Sequence, residues 1–386
     1  MSFPSRTRAW VEGSSEPGVA GSGICLTQTA TFITAYSDRP WPLVKICSSR
    51  CAGNHARYRA FHPFAPLPTL RFAPRAGLRE AVKILFIVNP AASGVTARGR
   101  VVIQNALAAS HDLTVAETKR RGHATRLAQG AAATGVDVVV SLGGDGTVNE
   151  VANGLVRSST ALAVLPGGST NVFARTLGLI NEPVEAINQI LSALARRSIR
   201  RVGLGSVNGR FFCFHVGMGY DAAVVEQVEK RGQLKRYLGH PLFAYAAIDT
   251  WLRRYDRKRA VFRVEFPTPD DAPIESFFSV CLNTDPYTFL GSRPLSLIPE
   301  VGLDSPLGLV SFTSFGLPSM LRAVIAAIKG GGRLARQPHV EVRANLHAFT
   351  VHAHRPFPWQ VDGDHLGDAD VLEFRWEPTV LDLVVP

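Results

Sequence analysis

From residue 82 onward, short apolar runs alternate with segments of helical periodicity. The apolar runs lie at 83–88, 113–118, 136–142 and 161–165. Continuous apolar runs of this length are typical of strands buried on both faces, as in a parallel sheet. The segments between them, such as 123–134, have the length and apolar spacing of crossover helices. The sequence therefore predicts an α/β domain at residues 81–200, built on an open parallel sheet.

The pattern changes near residue 200, after which strand-like runs dominate. The runs at 201–207 and 210–216 flank Asn208-Gly209, a strong hairpin signal because both positions tolerate positive φ. Further strand-like runs lie at 260–266, 277–283, 307–313, 340–344, 348–353 and 371–376. Two helical segments, near 221–230 and 318–328, interrupt them. A second, β-rich domain at residues 201–380 is therefore predicted.

Residues 1–80 have a different composition. They carry ten Lys and Arg but only four Asp and Glu residues, so they hold about half of the net charge of +11. They are dotted with Pro, Gly and Ser and show no sustained period, which predicts a disordered basic extension. A targeting peptide is the alternative, but no compact apolar region ends in small residues.

The remaining composition bounds the class of protein. Five cysteines without regular spacing, including Cys25, Cys47 and Cys51, argue against a disulfide framework and favour a reducing cytosol. No apolar stretch approaches the roughly 18 to 20 residues that span a bilayer. The basic charge is weak evidence for nucleic acid and better evidence for an anionic surface or substrate. We expect a cytoplasmic protein without a nucleic-acid partner.

A glycine-rich turn follows the third predicted strand and opens a helix. It reads Gly143-Gly144-Asp145-Gly146-Thr147. Glycines let a backbone approach phosphate closely, and N–H groups at a helix start point at the anion. Asp145 could hold Mg²⁺ through water. The alternative is a tight turn in which Asp145 only caps the helix.

Two more turns of similar composition follow other strands. Pro166-Gly167-Gly168-Ser169-Thr170-Asn171 follows the next strand, and Asn89-Pro90-Ala91-Ala92-Ser93-Gly94 follows the first. Ligands of open α/β sheets bind outside the carboxyl ends of the strands, so these turns predict one phosphate- or nucleotide-binding crevice. No G-x-x-x-x-G-K-[ST] run is present, which excludes a P-loop enzyme. Gly217–Ala222 mimics a dinucleotide fingerprint but is predicted to be a structural strand-to-helix turn.

A chemical base is expected near the C-terminus. Asp362-Gly363-Asp364 reads as a β-turn with two carboxylates flanking a glycine. One carboxylate could accept the proton of an attacking hydroxyl while the other orients or caps.

Taken together, these motifs resemble the diacylglycerol kinase catalytic domain and its bacterial lipid-kinase relatives. The resemblance covers roughly residues 82–386. It implies an α/β domain with an open parallel sheet like that of NAD kinases and phosphofructokinases, a C-terminal β-sandwich domain, and an ATP cleft between them. It also implies that the last strand, 381–386, returns to the first domain.

By matched position, the resemblance implies a set of functional residues. The base corresponds to Asp364, and Asp304 is a candidate ligand of a structural metal. The ATP contacts would be Asn89, Thr118, Gly143, Gly144, Asp145, Gly146, Thr147, Asn149, Glu150, Gly168 and Ser169. The chain departs from the family pattern in four places: Asp364 replaces a glutamate, Val172 an aspartate, Ser305 a glycine, and a glycine cluster is reduced to Gly291.

The resemblance implies transfer of the ATP γ-phosphoryl group, with Mg²⁺, to a lipid hydroxyl such as that of diacylglycerol. Alternative acceptors are a long-chain base or ceramide, with NAD the least expected, and a different class is a non-catalytic nucleotide- or lipid-binding protein. We expect peripheral contact with the inner face of the membrane, and a homodimer is left open. One candidate contact is residues 251–259, which mix aromatic and basic side chains; the alternative is a helix end whose basic residues complement the dipole.

Overall fold

The computed structural model describes residues 81–230, 245–253, 255–268, 271–330 and 332–386. The predicted extension at 1–80, with its three cysteines, lies outside the described residues. Most described strands belong to one 14-stranded sheet, and a separate two-stranded ribbon completes the set. The predicted domain boundaries at 81–200 and 201–380 stay predictions, because the strands of both parts join the same sheet.

The first part alternates strands and helices. Its elements are β1 (Lys83–Val88), α1 (Ala97–Ala108), β2 (Asp112–Glu117), α2 (His123–Ala133), β3 (Val138–Gly143), α3 (Asp145–Leu155), β4 (Ala161–Pro166), α4 (Val172–Thr176) and α5 (Pro183–Ala195). The four strands are parallel in the order β2-β1-β3-β4. Every residue of β3 and β4 is buried, which explains why both strands are apolar apart from Ser141 in β3. The predicted α/β fold is confirmed.

The second part is rich in strands. Its elements are β5 (Ile199–Val207), β6 (Arg210–Phe212), β7 (His215–Met218), α6 (Tyr220–Glu229), α7 (residues 245–253), β8 (Phe262–Glu265), β9 (Ile274–Ser276), β10 (Phe278–Leu282), β11 (Thr288–Leu290), β12 (Arg293–Leu295), β13 (Leu307–Phe312), α8 (Leu317–Lys329), a 3₁₀ turn (Leu334–Arg336), β14 (Val340–Leu346), β15 (Ala348–Val361) and β16 (Asp364–Val384). Asn208 and Gly209 have φ of 47° and 81°, so the β5–β6 hairpin turns as predicted.

The bounds of some predicted strands differ in the structure. The run 210–216 is not one strand, because the chain leaves the sheet at Cys213-Phe214 and re-enters it as β7. The runs predicted at 348–353 and 371–376 are parts of the much longer β15 and β16, which pair with each other across the Asp362-Gly363 turn. Apolar periodicity fades where these strands are exposed, so it underestimates their length.

β16 links the two parts of the chain. Near its end it runs antiparallel to β5 and meets β4 in parallel, where Leu383 lies beside Leu162. The last strand therefore pairs with the parallel sheet of the first part, as the resemblance implies.

Three larger apolar cores and one smaller cluster lie among the described residues. The first lies around the parallel sheet, the second among β5 to β10 and β13 to β16, and the third between β10, β13 and α8. β15 pairs with β8 through Thr350–Ala353 and with β7 through Trp359–Val361. Different parts of this long strand therefore pair with different neighbours. No helix among the described residues is long and apolar enough to cross a membrane.

Candidate active site

The three glycine-rich turns meet at the carboxyl ends of neighbouring strands. The N–H of Gly94 donates to the carbonyl of Gly167 at 2.8 Å, and the N–H of Gly167 donates to that of Gly143 at 2.8 Å. The turns after β1, β3 and β4 therefore form one continuous backbone surface.

Close approach explains why the turns contain glycine. A Cβ at Gly168 would lie 2.7 Å from Gly144 Cα, and a Cβ at Gly167 would lie 2.8 Å from Gly143 N. Side chains at these positions would push the second and third turns apart, so the sequence is fixed by backbone contact as well as by any ligand.

The turns form one wall of a cleft of about 1290 Å³. The opposite wall comes from the strand-rich part, through β7, α6, β11 and the β15–β16 turn. Of the predicted site residues, those that line the cleft are Asn89, Thr118, Gly144, Asp145, Gly146, Thr147, Glu150, Gly168, Ser169 and Asp364. Three predicted residues are not part of its lining: Gly143, Asn149 and Asp304.

Asp145 does not cap its own helix, since Gly144 is the N-cap of α3. Its carboxylate oxygens instead accept hydrogen bonds at 3.1 Å from the N–H groups of Val172 and Phe173, the first residues of α4. This arrangement ties the second turn to the third and holds a carboxylate at the floor of the cleft. Val172 contributes its backbone N–H to this contact.

Other predicted ATP contacts form hydrogen bonds that hold segments of the cleft wall together. Asn89 Nδ2 donates to Thr147 Oγ1 at 2.9 Å, which ties the first turn to α3. The Glu150 carboxylate accepts from the N–H groups of Gly122 and Ala124 at 2.7 and 3.1 Å, and so holds the start of α2. Thr118 lies beside β1, where its N–H donates to Val88.

Asp362 explains the break between β6 and β7. Its buried carboxylate accepts hydrogen bonds from the N–H groups of Cys213, Phe214 and His215 at 2.7 to 3.0 Å, which are therefore turned away from any strand partner. Asn149 Nδ2 donates to the same carboxylate at 2.8 Å. Burial raises the pKa of Asp362 to about 6, while these donors oppose the rise. Asp362 therefore orients the turn, and Asn149 joins that turn to α3.

Asp364 is the second carboxylate of this turn and faces the cleft. Its oxygens lie 3.1 Å from Arg121 Nη2 and 3.8 Å from Arg210 Nη2. A Cβ at Gly146 would lie 3.2 Å from Asp364 Oδ1, so the carboxylate stands directly against the glycine-rich turn. A carboxylate is thus held between two cations and the glycine-rich turn.

Asp304 lies apart from this constellation and forms an ion pair with Arg200. Within the described ranges, no group of three or more His, Cys, Asp or Glu side chains is placed to hold a metal ion. Asp304 as a metal ligand stays a prediction without a second ligand.

Comparison with known proteins relates part of this constellation to a family. Residues 83–230 match the model of the diacylglycerol kinase catalytic domain, and this segment contains all three glycine-rich turns. That part of the chain is therefore similar to the catalytic domain of diacylglycerol kinases. The diacylglycerol kinase of Bacillus subtilis (strain 168) is 34% identical over 145 residues, which are 36% of this chain and 46% of that protein.

A longer similarity extends the assignment along the chain. A "Probable lipid kinase YegS-like" protein of Pseudomonas aeruginosa (strain UCBPP-PA14) is 28% identical over 306 residues, 79% of this chain and 94% of the relative. The crystal structure of a diacylglycerol kinase from Bacillus anthracis str. Sterne superposes with a TM-score of 0.62 at 23% identity, covering 80% of this chain and 98% of that one. This last comparison shows a shared fold.

The far end of the cleft contains polar side chains that the sequence reasoning missed. Asp221 accepts hydrogen bonds from Tyr287 OH at 2.5 Å and Gln360 Nε2 at 2.9 Å. The His215 ring packs against Tyr287, with ring centroids 4.6 Å apart. Burial lowers the pKa of His215 to about 4, so the ring is neutral at neutral pH.

These residues were missed because they come from distant elements. Gly217–Ala222 is the strand-to-helix turn that the sequence predicts, yet it also delivers Asp221 to the cleft. Lys119, Arg120 and Arg121 line the nucleotide end, directly after Thr118. In the sequence, these cations are indicated by their position next to Thr118, a predicted ATP contact.

Proposed function

We propose that the protein is an ATP-dependent lipid kinase that transfers the γ-phosphoryl group to the hydroxyl of diacylglycerol, giving phosphatidic acid. The observation that carries the proposal is the position of Asp364. A carboxylate lies against the joined glycine-rich turns and opens onto the same cleft.

The turn end of the cleft suits ATP. Gly144, Gly146 and Gly168 bring backbone to the surface there, and the N-terminus of α3 opens onto it. Arg121 adds a cation able to meet phosphate charge. Adenine and ribose have no assigned contacts among these residues.

The carboxylates are compatible with Mg²⁺ carried by the nucleotide. Mg²⁺ in kinases is held by one or two carboxylates together with phosphate oxygens and water, so a dedicated protein cage is not needed. Asp145 supplies such a carboxylate at the floor of the cleft. When bound, the ion would neutralise charge on the transferring phosphoryl group.

The reaction is an in-line displacement. The acceptor oxygen forms a bond to the γ-phosphorus while the bridging bond to the β-phosphate breaks, and ADP leaves. The proton of the hydroxyl passes to Asp364, whose carboxylate is aligned by the turn that Asp362 holds. Asp364 is one methylene shorter than glutamate, so the hydroxyl must approach more closely or through one water.

The far end of the cleft suits an acceptor with both polar and apolar parts. Asp221 and Tyr287 offer hydrogen-bonding groups, while Val224, Val225 and Phe289 add apolar surface. Diacylglycerol combines a primary hydroxyl with acyl chains and fits this division. A long-chain base or ceramide has the same division and is the second candidate acceptor.

A panel of acceptors tests the proposal. ³²P-labelled ATP is offered with diacylglycerol, a long-chain base or ceramide in mixed micelles, and ATP binding is measured separately by calorimetry. Phosphatidic acid as the dominant product is expected. ATP binding without transfer to any acceptor would replace the proposal with a non-catalytic binding protein.

A further inference from the structure

The helix α8 exposes large aliphatic side chains and buries alanines. Leu317, Leu321, Val324, Ile325 and Ile328 are between 50% and 54% exposed, whereas Ala323, Ala326 and Ala327 are buried. A surface helix ordinarily turns its apolar face to the core and its polar face to water. In α8 the larger apolar side chains point outward, which marks an interaction surface.

The charges around this helix have one sign. Residues 305–340 contain no Asp or Glu. They contain four exposed basic residues, two on α8 and two just after it: Arg322, Lys329, Arg333 and Arg336. Long basic side chains at the border of an apolar helix face can reach anionic headgroups while their stems stay in apolar surroundings.

A second helix packs on the same apolar core and also exposes apolar side chains. On α7, Tyr245, Ile248 and Leu252 are also more than half exposed, at a spacing that places them on one face. Trp251 of α7 packs against the third core, to which Ala323 and Ala326 of α8 belong. α7 and α8 therefore rest on one cluster and show apolar side chains on their outer faces.

That cluster continues to the acceptor end of the cleft. Tyr220 lines the cleft, donates its hydroxyl to the Ala247 carbonyl of α7 at 2.7 Å, and packs its ring 4.9 Å from that of Phe315, just before α8. Tyr220 therefore connects the cleft wall to α7 and to the residues just before α8.

We propose that the exposed face of α8, with the adjoining face of α7, docks on a lipid bilayer that contains anionic headgroups. The inference rests on the proposed function in one respect, since it supplies the route by which a bilayer lipid reaches the cleft. A second copy of the chain is a poorer partner. A twofold contact through α8 would bring the basic residues of one copy towards those of the other, and residues 305–340 offer no Asp or Glu to pair with them.

Vesicle co-sedimentation of the full chain tests the docking surface without any turnover. The vesicles are phosphatidylcholine alone and phosphatidylcholine mixed with phosphatidylglycerol. The variants are Leu321→Gln with Ile328→Gln, and Arg322→Gln with Lys329→Gln. Val101→Gln on α1 is the matched control, because Val101 is an equally exposed aliphatic residue on another helix.

We expect the wild-type chain and the Val101→Gln control to bind the anionic vesicles. The Leu321→Gln with Ile328→Gln variant should bind vesicles about tenfold or more weakly. The Arg322→Gln with Lys329→Gln variant should lose the preference for vesicles that contain phosphatidylglycerol. If both double variants bind vesicles as the wild type does, the proposal is overturned. Loss of self-association by the aliphatic pair, seen in sedimentation velocity with vesicle binding unchanged, would assign the surface to a second copy.

Kinase assays separate this proposal from the proposed function. Both double variants should phosphorylate a water-dispersed short-chain diacylglycerol at the wild-type rate. Their rate on diacylglycerol in anionic vesicles should fall in proportion to the loss of vesicle binding. Charge-dependent vesicle binding in a chain that phosphorylates no lipid would leave the docking surface standing and remove the proposed function.

Discussion

Arg121 Nη2 lies 3.1 Å from Asp364 Oδ1, and this ion pair joins the loop before α2 to the first residue of β16. The contact places a cation between the proposed base and the predicted phosphate site. The guanidinium balances the charge of the carboxylate, and under the proposed function it would also meet the phosphate charge of ATP. Arg121 therefore contacts Asp364, the proposed base, and lines the end of the cleft where ATP is proposed to bind.

Arg121→Ala is expected to lower kcat/KM for ATP by about tenfold to hundredfold, because one charged donor to the phosphates is lost. Arg121→Lys should recover part of this loss, since it restores the charge but not the planar fork. Arg126→Ala, an exposed arginine on α2, is the control. Steady-state kinetics at varied ATP checks the prediction, and wild-type kinetics in Arg121→Ala would contradict it.

Asp362→Asn is expected to lower the free energy of unfolding by about 2–4 kcal/mol. The amide keeps one acceptor oxygen but sets an NH₂ group against backbone donors that now bind the carboxylate. Asp370→Asn, an exposed change on β16, should stay within about 0.5 kcal/mol of wild type. Urea denaturation measures both, and equal effects of the two changes would show that Asp362 does not hold the turn.

The stability of the wild-type chain is expected to depend on His215 in acid. The folded pKa of His215 is about 4, below the ordinary 6.5, because burial disfavours the charged ring. Between these values the unfolded chain binds a proton that the folded chain does not, so the contribution of His215 to stability is lost as pH falls from about 6.5 to about 4. The folded pKa of Asp362 is about 6, above the ordinary 3.8, so the Asp362 contribution falls as pH rises through about 4 to 6 and partly cancels the first.

His215→Gln removes only the histidine contribution. The unfolding free energy of wild type minus that of the variant should therefore grow as pH rises from about 4 to about 6.5, and then level off. Urea denaturation across this range measures the difference. A difference that does not change with pH would show that His215 titrates normally in the folded chain.

Gly168→Ala is expected to weaken ATP binding by about tenfold or more, because its Cβ would meet Gly144 Cα at 2.7 Å and separate two turns. Gly130→Ala on α2 is the matched control, since a Cβ there meets nothing within 4 Å. The control should leave binding unchanged and raise stability slightly, by about 0.5–1 kcal/mol. Calorimetry with ATP measures the affinity of both variants, and thermal unfolding measures their stability. Unaltered ATP affinity in Gly168→Ala would contradict the prediction that close contact between the two turns is needed for ATP binding.

The parallel sheet and its glycine-rich turns could be predicted from sequence because their signals are local. β3 and β4 are apolar apart from Ser141 because both faces are buried, and each turn follows its strand directly. The joining of the turns follows from strand order, which places β3 between β1 and β4.

The rest of the site depends on contacts between distant residues. The interruption of the strand at Cys213 is caused by Asp362, whose carboxylate takes the N–H groups that a strand would need. Asp221 reaches the cleft because β7 lies beside β15, and nothing adjacent to it in sequence signals that role. Asp145 similarly binds α4 rather than capping its own helix.

Phosphoryl transfer with Asp364 as the base is tested most directly by the rate of ³²P transfer from ATP to diacylglycerol in mixed micelles. Wild type is compared with Asp364→Asn, while ATP affinity is measured in both. The prediction is that wild type forms phosphatidic acid and that Asp364→Asn loses about 10²-fold or more of the rate while still binding ATP. An Asp364→Asn variant that forms phosphatidic acid at the wild-type rate would contradict it.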